Sequence, residues 1–226
     1  MAQQLTFIRE TLSREMVMAM IPEAMHLYDP TVTGEIVNRV VDPKFGTDRP
    51  RVVAVAGRMG VGKDHACDLL VDHHGFVKIH VFEMGYERIA SFHGRPVRKP
   101  DDRATLQALG ELGRCIDPLF WLKDILSTRI VAALATGVAG VAITGVRYKT
   151  DVEYLKGLGI DTILIRRPQL LRGDPGEMAL SERDLDDYTG GIIIENTGTV
   201  QEYDAMLEKM IHERLPWIPK NRGLNN

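Results

Sequence analysis

The stretch that most constrains the fold runs over residues 52–71. The apolar run Val52-Val53-Ala54-Val55-Ala56 leads into Gly57-Arg58-Met59-Gly60-Val61-Gly62-Lys63-Asp64, followed by His65 and the patterned segment Ala66-Cys67-Asp68-Leu69-Leu70-Val71. A strand enters, glycines turn the chain and a helix leaves. The eight central residues match G-x-x-x-x-G-K-[ST] at every fixed position except the last, where Asp64 replaces the hydroxyl residue. Gly57, Gly60 and Gly62 let the backbone wrap closely round phosphate with its amides pointing inward. The helix start adds partial positive charge, and Lys63 is long enough to reach the outer phosphates. Strand, spacing, lysine and helix coincide, so residues 57–65 read as a nucleotide-phosphate loop rather than an ordinary glycine-rich turn.

Composition excludes several other classes. At 226 residues and 44% hydrophobic the chain can bury a sizeable core. Its formal net charge of −3 gives no general basis for binding nucleic acid or a membrane surface. Any phosphate site is therefore a local patch. Cys67 and Cys115 are far apart with no paired spacing, and both read as reduced core thiols of a cytoplasmic protein. Residues 1–21 carry Glu10 and Glu15 and no long apolar run, so neither a signal peptide nor a membrane span is expected there. The histidines make no metal-ligand spacing with neighbouring Cys or Asp, and no G-x-S-x-G elbow is present.

Residues 1–50 read as an N-terminal helical extension and linker. Leu5, Ile8, Leu12, Met16, Ala19 and Met20 recur at helical spacing before Pro22, and a short helix is expected over 35–41. Such an amphipathic segment packs on its own domain or serves a homodimer or partner contact. From Arg51 onward strands and helices alternate, which predicts a three-layer α/β domain over 51–226 with a five-stranded parallel sheet. Strands are expected at 52–56, 76–81, 138–144, 161–165 and 191–195, with a helical insert at about 83–137 and a lid-like loop at about 166–190. Thr150 with Glu153, and Thr199 with Glu202, have the spacing of capping boxes that open helices.

Basic residues gather at Arg88, Arg95, Arg98, Lys99 and Arg103, against Asp101 and Asp102. The segment is either a solvated surface loop or a patch for an anionic ligand near the carboxyl edge of the sheet. Arg147 follows the strand ending at Thr144, on the same edge as Gly57, where an arginine can clamp phosphate bidentately. Arg166 and Arg167 follow the fourth strand in the same way. They either close over a transferring phosphoryl group or pair on the surface with Asp174, Glu177 or Asp184. Transfer between two phosphates needs no general base, because the attacking oxygen is already anionic; positioning, arginines and a metal suffice.

Several of these residues fall into one order. The GKD ending of the loop, Arg103-x-x-x-Gln107-Ala108-Leu109-Gly110, Trp121-Leu122-Lys123, Arg147, Arg167-Pro168, Ser181-Glu182 and Glu195-Asn196-Thr197-Gly198-Thr199 together resemble the deoxynucleoside monophosphate kinases of tailed bacteriophages, over roughly residues 52–211. The resemblance implies a P-loop kinase fold and transfer of the terminal phosphate of ATP, with Mg2+, onto a deoxynucleoside monophosphate in the host cytoplasm. It implies that residues 57–64 hold the donor phosphates, that Lys63, Arg147, Arg166 and Arg167 serve the transition state, and that Asn196 lies near the donor base. Asp64 would meet magnesium directly or through water. Glu83, Arg88, Arg103, Gln107 and Arg147 fall on the acceptor side. The chain departs from the family at Phe82-Glu83-Met84-Gly85-Tyr86, at Gly145 where an acid is usual, and before Ser181 where a histidine is usual. Another P-loop small-molecule kinase, such as one resembling dephospho-coenzyme A kinase, and an ATP-binding sensing or assembly protein remain the alternatives.

Overall fold

The computed structural model describes residues 3, 11–13, 51–99, 101–170 and 183–218. Five strands, β1 (Val52–Ala56), β2 (Phe76–His80), β3 (Gly140–Val146), β4 (Asp161–Arg166) and β5 (Ile192–Glu195), form one sheet in the order β2-β3-β1-β4-β5. Every neighbouring pair is parallel, the five-stranded α/β architecture expected from the sequence. β1 and β3 are buried along their whole length, which is why their residues are apolar at successive rather than alternate positions. One face packs on α1 (Lys63–His74) and on a C-terminal helix (Val200–Arg214), with Val53, Val55, Ala142, Ile163 and Ile165 meeting Leu70, Leu207 and Ile211. Val141, Ile143 and Leu164 alternate to the other face, and helices at Val131–Ala135 and Lys149–Gly157 pack against β3 and β4.

The ends of the strands differ from the sequence expectation for local reasons. β3 begins at Gly140 rather than Val138, where a Cβ would lie 2.6 Å from the Phe76 ring. β3 also runs to Val146, with an irregularity: Ala54 pairs with Ile143, but Ala56 pairs with Val146. The extra residue lies beside Gly145, whose φ of 85° is the left-handed value that a bulge needs and that a side chain would strain. A Cβ at Gly145 would also lie 2.6 Å from the His80 imidazole, so the ring fills the space of the missing side chain.

Contacts divide the chain into two units, Met1–Arg39 with Val81–Arg129, and Val40–His80 with Ile130–Asn226. The first contains α2 (Glu83–His93), α3 (Arg103–Ile116) and α4 (Phe120–Ile125). Trp121 organises it: the ring stands edge-on to Phe82 at 4.5 Å and to Phe120 at 4.8 Å, and its Nε1 donates to the Gly110 carbonyl at 2.9 Å. α3 carries glycine at 113 because a Cβ there would sit about 2.5 Å from that indole. After α4 the chain widens into a π-helical stretch, Leu126–Ile130, before α5 (Val131–Ala135). The Ser127 hydroxyl donates to the Lys123 and Asp124 carbonyls, and Thr128 donates to Asp124, so side chains compete for the acceptors that a regular helix would use.

Three further expectations meet the structure here. The capping box at Thr150 and Glu153 does not form. The helix α6 (Lys149–Gly157) starts two residues earlier, Asp184 accepts from the Lys149 amide at 2.7 Å, and Glu153 accepts from the Tyr188 hydroxyl instead. The second box does form: at the start of α7 (Val200–Arg214), Thr199 accepts from the Glu202 amide and Glu202 from the Thr199 amide. Cys67 is buried, but Cys115 is exposed near the end of α3 rather than in the core. The N-terminal extension, apart from residues 3 and 11–13, and residues 171–182 of the lid-like loop lie outside the described residues.

Candidate functional site

The glycine loop over residues 57–62 leaves the carboxyl end of β1, the strand flanked by β3 on one side and β4 on the other. The crevice beyond the carboxyl ends at such a switch point is where open α/β sheets hold ligands. Two glycines are fixed by close approach. A Cβ at Gly57 (φ 135°) would collide with the Ile165 carbonyl, and one at Gly62 (φ 109°) would lie 2.9 Å from the Asn196 amide. The loop is braced from outside: Asn196 Nδ2 donates to the Val61 carbonyl at 2.9 Å and the Tyr203 hydroxyl to the Gly62 carbonyl at 3.2 Å. Because a trans peptide opposes its C=O and N–H, taking these two carbonyls outward turns the amides of Gly62 and Lys63 the other way, into the loop. Burial raises the pKa of the Tyr203 phenol, so it stays a protonated donor.

Lys63 opens α1 and is only 5% exposed. Its amine crosses the loop and donates to the Arg58 carbonyl at 2.5 Å. Asp64 follows, and the Thr144 hydroxyl at the end of β3 donates to its Oδ1 at 3.0 Å. The Cys67 thiol, one turn along α1, is hydrogen-bonded to the same hydroxyl and is pushed up to about 12 by burial, so it is an inert neutral group. A carboxylate beside a hydroxyl is an oxygen-only donor set, which fits a hard cation such as magnesium. No group of three or more His, Cys, Asp or Glu side chains gathers to hold a metal among the described residues.

Arginines surround this loop in different ways. Arg58 makes a two-pronged ion pair with Asp186, one prong at 2.8 Å. Arg166, the last residue of β4, donates to the carbonyls of Tyr188 at 2.5 Å and Asp186 at 3.3 Å. Both therefore tie the chain around 186–188 to the sheet edge. Arg147 follows β3 directly, and Arg167 starts the turn closed by the Leu170 amide. His65 faces away toward α7, with Nε2 2.5 Å from Asp204 and its ring 5.7 Å from Tyr203, and Met59 is exposed at the loop tip.

Glu83 and Arg88 on α2, and Arg103 and Gln107 on α3, belong to the other unit. There the basic segment resolves into an internal lock. Asp102 is buried and receives two bonds from the Arg95 guanidinium, at 2.7 and 2.9 Å, and one from the Arg98 amide at 2.7 Å. These donors hold its carboxyl down at about 2. Lys99 lies 5.8 Å over the Tyr86 ring. Sequence reasoning missed Asp124 of α4, whose Oδ2 is buried with no hydrogen-bond partner among the described residues. Burial raises its carboxyl, against the opposing fields of Arg129 and Arg88, while Glu87 and Glu83 raise it further. It also missed Thr144, because a hydroxyl inside an apolar strand has no spacing signature.

No helix among the described residues is long and apolar enough to cross a membrane. No protein-family model matches the chain. Among solved structures it is similar to a shikimate kinase from Aquifex aeolicus, with a TM-score of 0.40 and 13% identity over 71% of this chain and 96% of that one. It is likewise similar to a sugar kinase from Janibacter, with a TM-score of 0.40 and 16% identity over 75% and 98%. Two herpesvirus proteins are much nearer in sequence. The uncharacterized protein ORF76 of Ictalurid herpesvirus 1 is 44% identical over 208 residues, 87% of this chain and 85% of the relative. ORF77 of the same virus is 40% identical over 210 residues, 86% of this chain and 92% of the relative. At that identity and coverage, the chain belongs to the family of the ORF76 and ORF77 proteins of Ictalurid herpesvirus 1.

Proposed function

We propose that the chain is an ATP-dependent phosphotransferase that moves the γ-phosphoryl group of ATP onto the phosphate of a nucleoside monophosphate, with a deoxynucleoside monophosphate as the preferred acceptor. The observation that carries the reading is the loop itself: a braced glycine loop at the switch point, with the Lys63 amine lying across it and Arg147 leaving the adjacent strand. Inward amides of the loop and the start of α1 supply donors and positive potential for the β- and γ-phosphates. An acceptor phosphate oxygen attacks the γ-phosphorus, the bond to the β-phosphate oxygen breaks, and ADP leaves with that electron pair; no proton moves. Lys63 and Arg147 offset the charge spread over the transferring group, a contribution worth about 10³-fold or more when an arginine supplies it. Asp64 would hold magnesium together with the nucleotide, and the metal would supply charge neutralisation at the phosphates. The acceptor-side assignment of Glu83, Arg88, Arg103 and Gln107, and the preference for deoxynucleotides, come from the resemblance alone.

The test is ADP formation from ATP and magnesium against dAMP, dGMP, dCMP, dTMP and the matching ribonucleotides, with Lys63→Ala as control. Turnover with at least one monophosphate, lost in the variant, is expected. Turnover only with another phosphorylated or alcohol acceptor would move the protein to a different small-molecule kinase. ATP binding without turnover on any acceptor would overturn the catalytic reading in favour of a nucleotide-sensing protein.

A further inference from the structure

We infer that Asp64 and Thr144 together form the magnesium-holding pair of this site, with carboxylate and hydroxyl exchanged between the two elements that carry them. In the usual phosphate loop, the Ser or Thr after the lysine and an acid from a second motif hold the metal together. Here the loop position carries the carboxylate, Asp64. The hydroxyl stands opposite it on β3, the strand paired with β1, as Thr144. The hydrogen bond between the two is present at 3.0 Å, but its donor now sits on the strand and its acceptor on the helix.

Three observations support exchange over coincidence. Residues 140–146 of β3 hold no acid, so the strand next to β1 offers no carboxylate of its own. The partner at 144 is neutral, so Asp64 brings the single negative charge of the pair, within the one or two carboxylates by which magnesium is usually held. Thr144 is also held in place. It is 2% exposed and touches Cys67, and the bulge at Gly145 begins immediately after it, so it is the last regular residue on the face that meets α1. The inference rests on the proposed nucleotide site, and it adds a positioning residue that neither spacing nor resemblance indicated.

The test measures Mn2+ affinity by electron paramagnetic resonance on the full chain in the presence of ADP, together with ADP affinity measured in EDTA. Thr144→Val should weaken Mn2+ binding about tenfold with ADP affinity in EDTA unchanged, the lower end of the range for partners of a metal ligand, and Asp64→Thr should weaken Mn2+ binding further. Thr144→Ser, which keeps the hydroxyl, should bind as the parent does. The decisive chain is the double exchange Asp64→Thr with Thr144→Asp, which should recover Mn2+ affinity to within a few-fold of the parent. If Thr144→Val binds Mn2+ as tightly as the parent, or the double exchange is no better than Asp64→Thr alone, the pair is overturned while the nucleotide site stands. If Thr144→Ser fails as Thr144→Val does, a packing role replaces the hydroxyl and the pair is again overturned. A parent chain that does not bind ADP at all overturns the site and the pair together.

Discussion

Lys63 illustrates how one residue answers to two demands. Its stem is buried at the start of α1, and its amine reaches back to the Arg58 carbonyl of the loop. Lys63→Ala is therefore expected to lower turnover by about 10²–10³-fold, as loss of one transition-state charge contact does, with an unchanged circular dichroism spectrum. An unfolded variant would refute the claim that the amine serves the site rather than the core. Asn196 acts one step removed. Asn196→Ala leaves the Val61 carbonyl without its brace, and the loss of about 1 kcal/mol of loop order should appear as a several-fold higher KM for ATP with kcat less affected. Lys63 and Asp64 were legible because their meaning lies in spacing along the chain. Thr144 was not, because its partner stands 80 positions away and only the pairing of β1 with β3 brings them together. Cys115 was misread for a related reason: a cysteine between Arg114 and Ile116 on an amphipathic helix does not announce which face it occupies.

Two helix starts with the same four-residue signature behave differently, and the difference is structural rather than chemical. Thr199 and Glu202 form the reciprocal box, and bonds from the Thr199 amide and hydroxyl hold the Glu202 carboxyl below its ordinary range. Thr150 and Glu153 have the same spacing, but Asp184 accepts from the Lys149 amide, so the helix gains two residues and Thr150 falls inside it. A local motif was overruled by a residue from elsewhere in the chain. Thr199→Ala is expected to cost about 1 kcal/mol in denaturant unfolding, and Asp184→Ala a similar amount, while Thr150→Ala should cost only a few tenths. A large loss at Thr150 would mean that the box forms in solution after all. Strand positions were easier to read, because β1, β3 and β4 are short apolar runs bounded by glycine or charge, and burial on both faces leaves few other ways to place them.

Across the whole molecule the sheet and the helical insert were legible as elements, and the pairing of the charges within the insert was not. A parallel sheet writes itself into the sequence as apolar runs, whereas the segment over 88–103 writes only an excess of positive charge, equally consistent with a ligand patch or with internal pairing. The structure spends Arg95 and the Arg98 amide on Asp102. This makes a prediction about acid stability, with two carboxylates of opposite sign in one unit. Asp102 is held at about 2, below its unfolded value of about 4, so it contributes stability that is complete above that unfolded value and is lost as pH falls toward 2. Asp124 is raised by burial, so its folded form favours the proton; it costs stability at neutral pH, and the cost disappears as pH falls and the group protonates. Asp102→Asn should therefore melt lower than the parent at pH 7, with the gap closing between about pH 4 and pH 2. Asp124→Asn should melt higher at pH 7, and its gap should close as pH drops through the raised pKa of the parent carboxyl. Melting curves across that pH range distinguish the two, and a gap that stays constant with pH for either variant would show that packing, not charge, sets its effect.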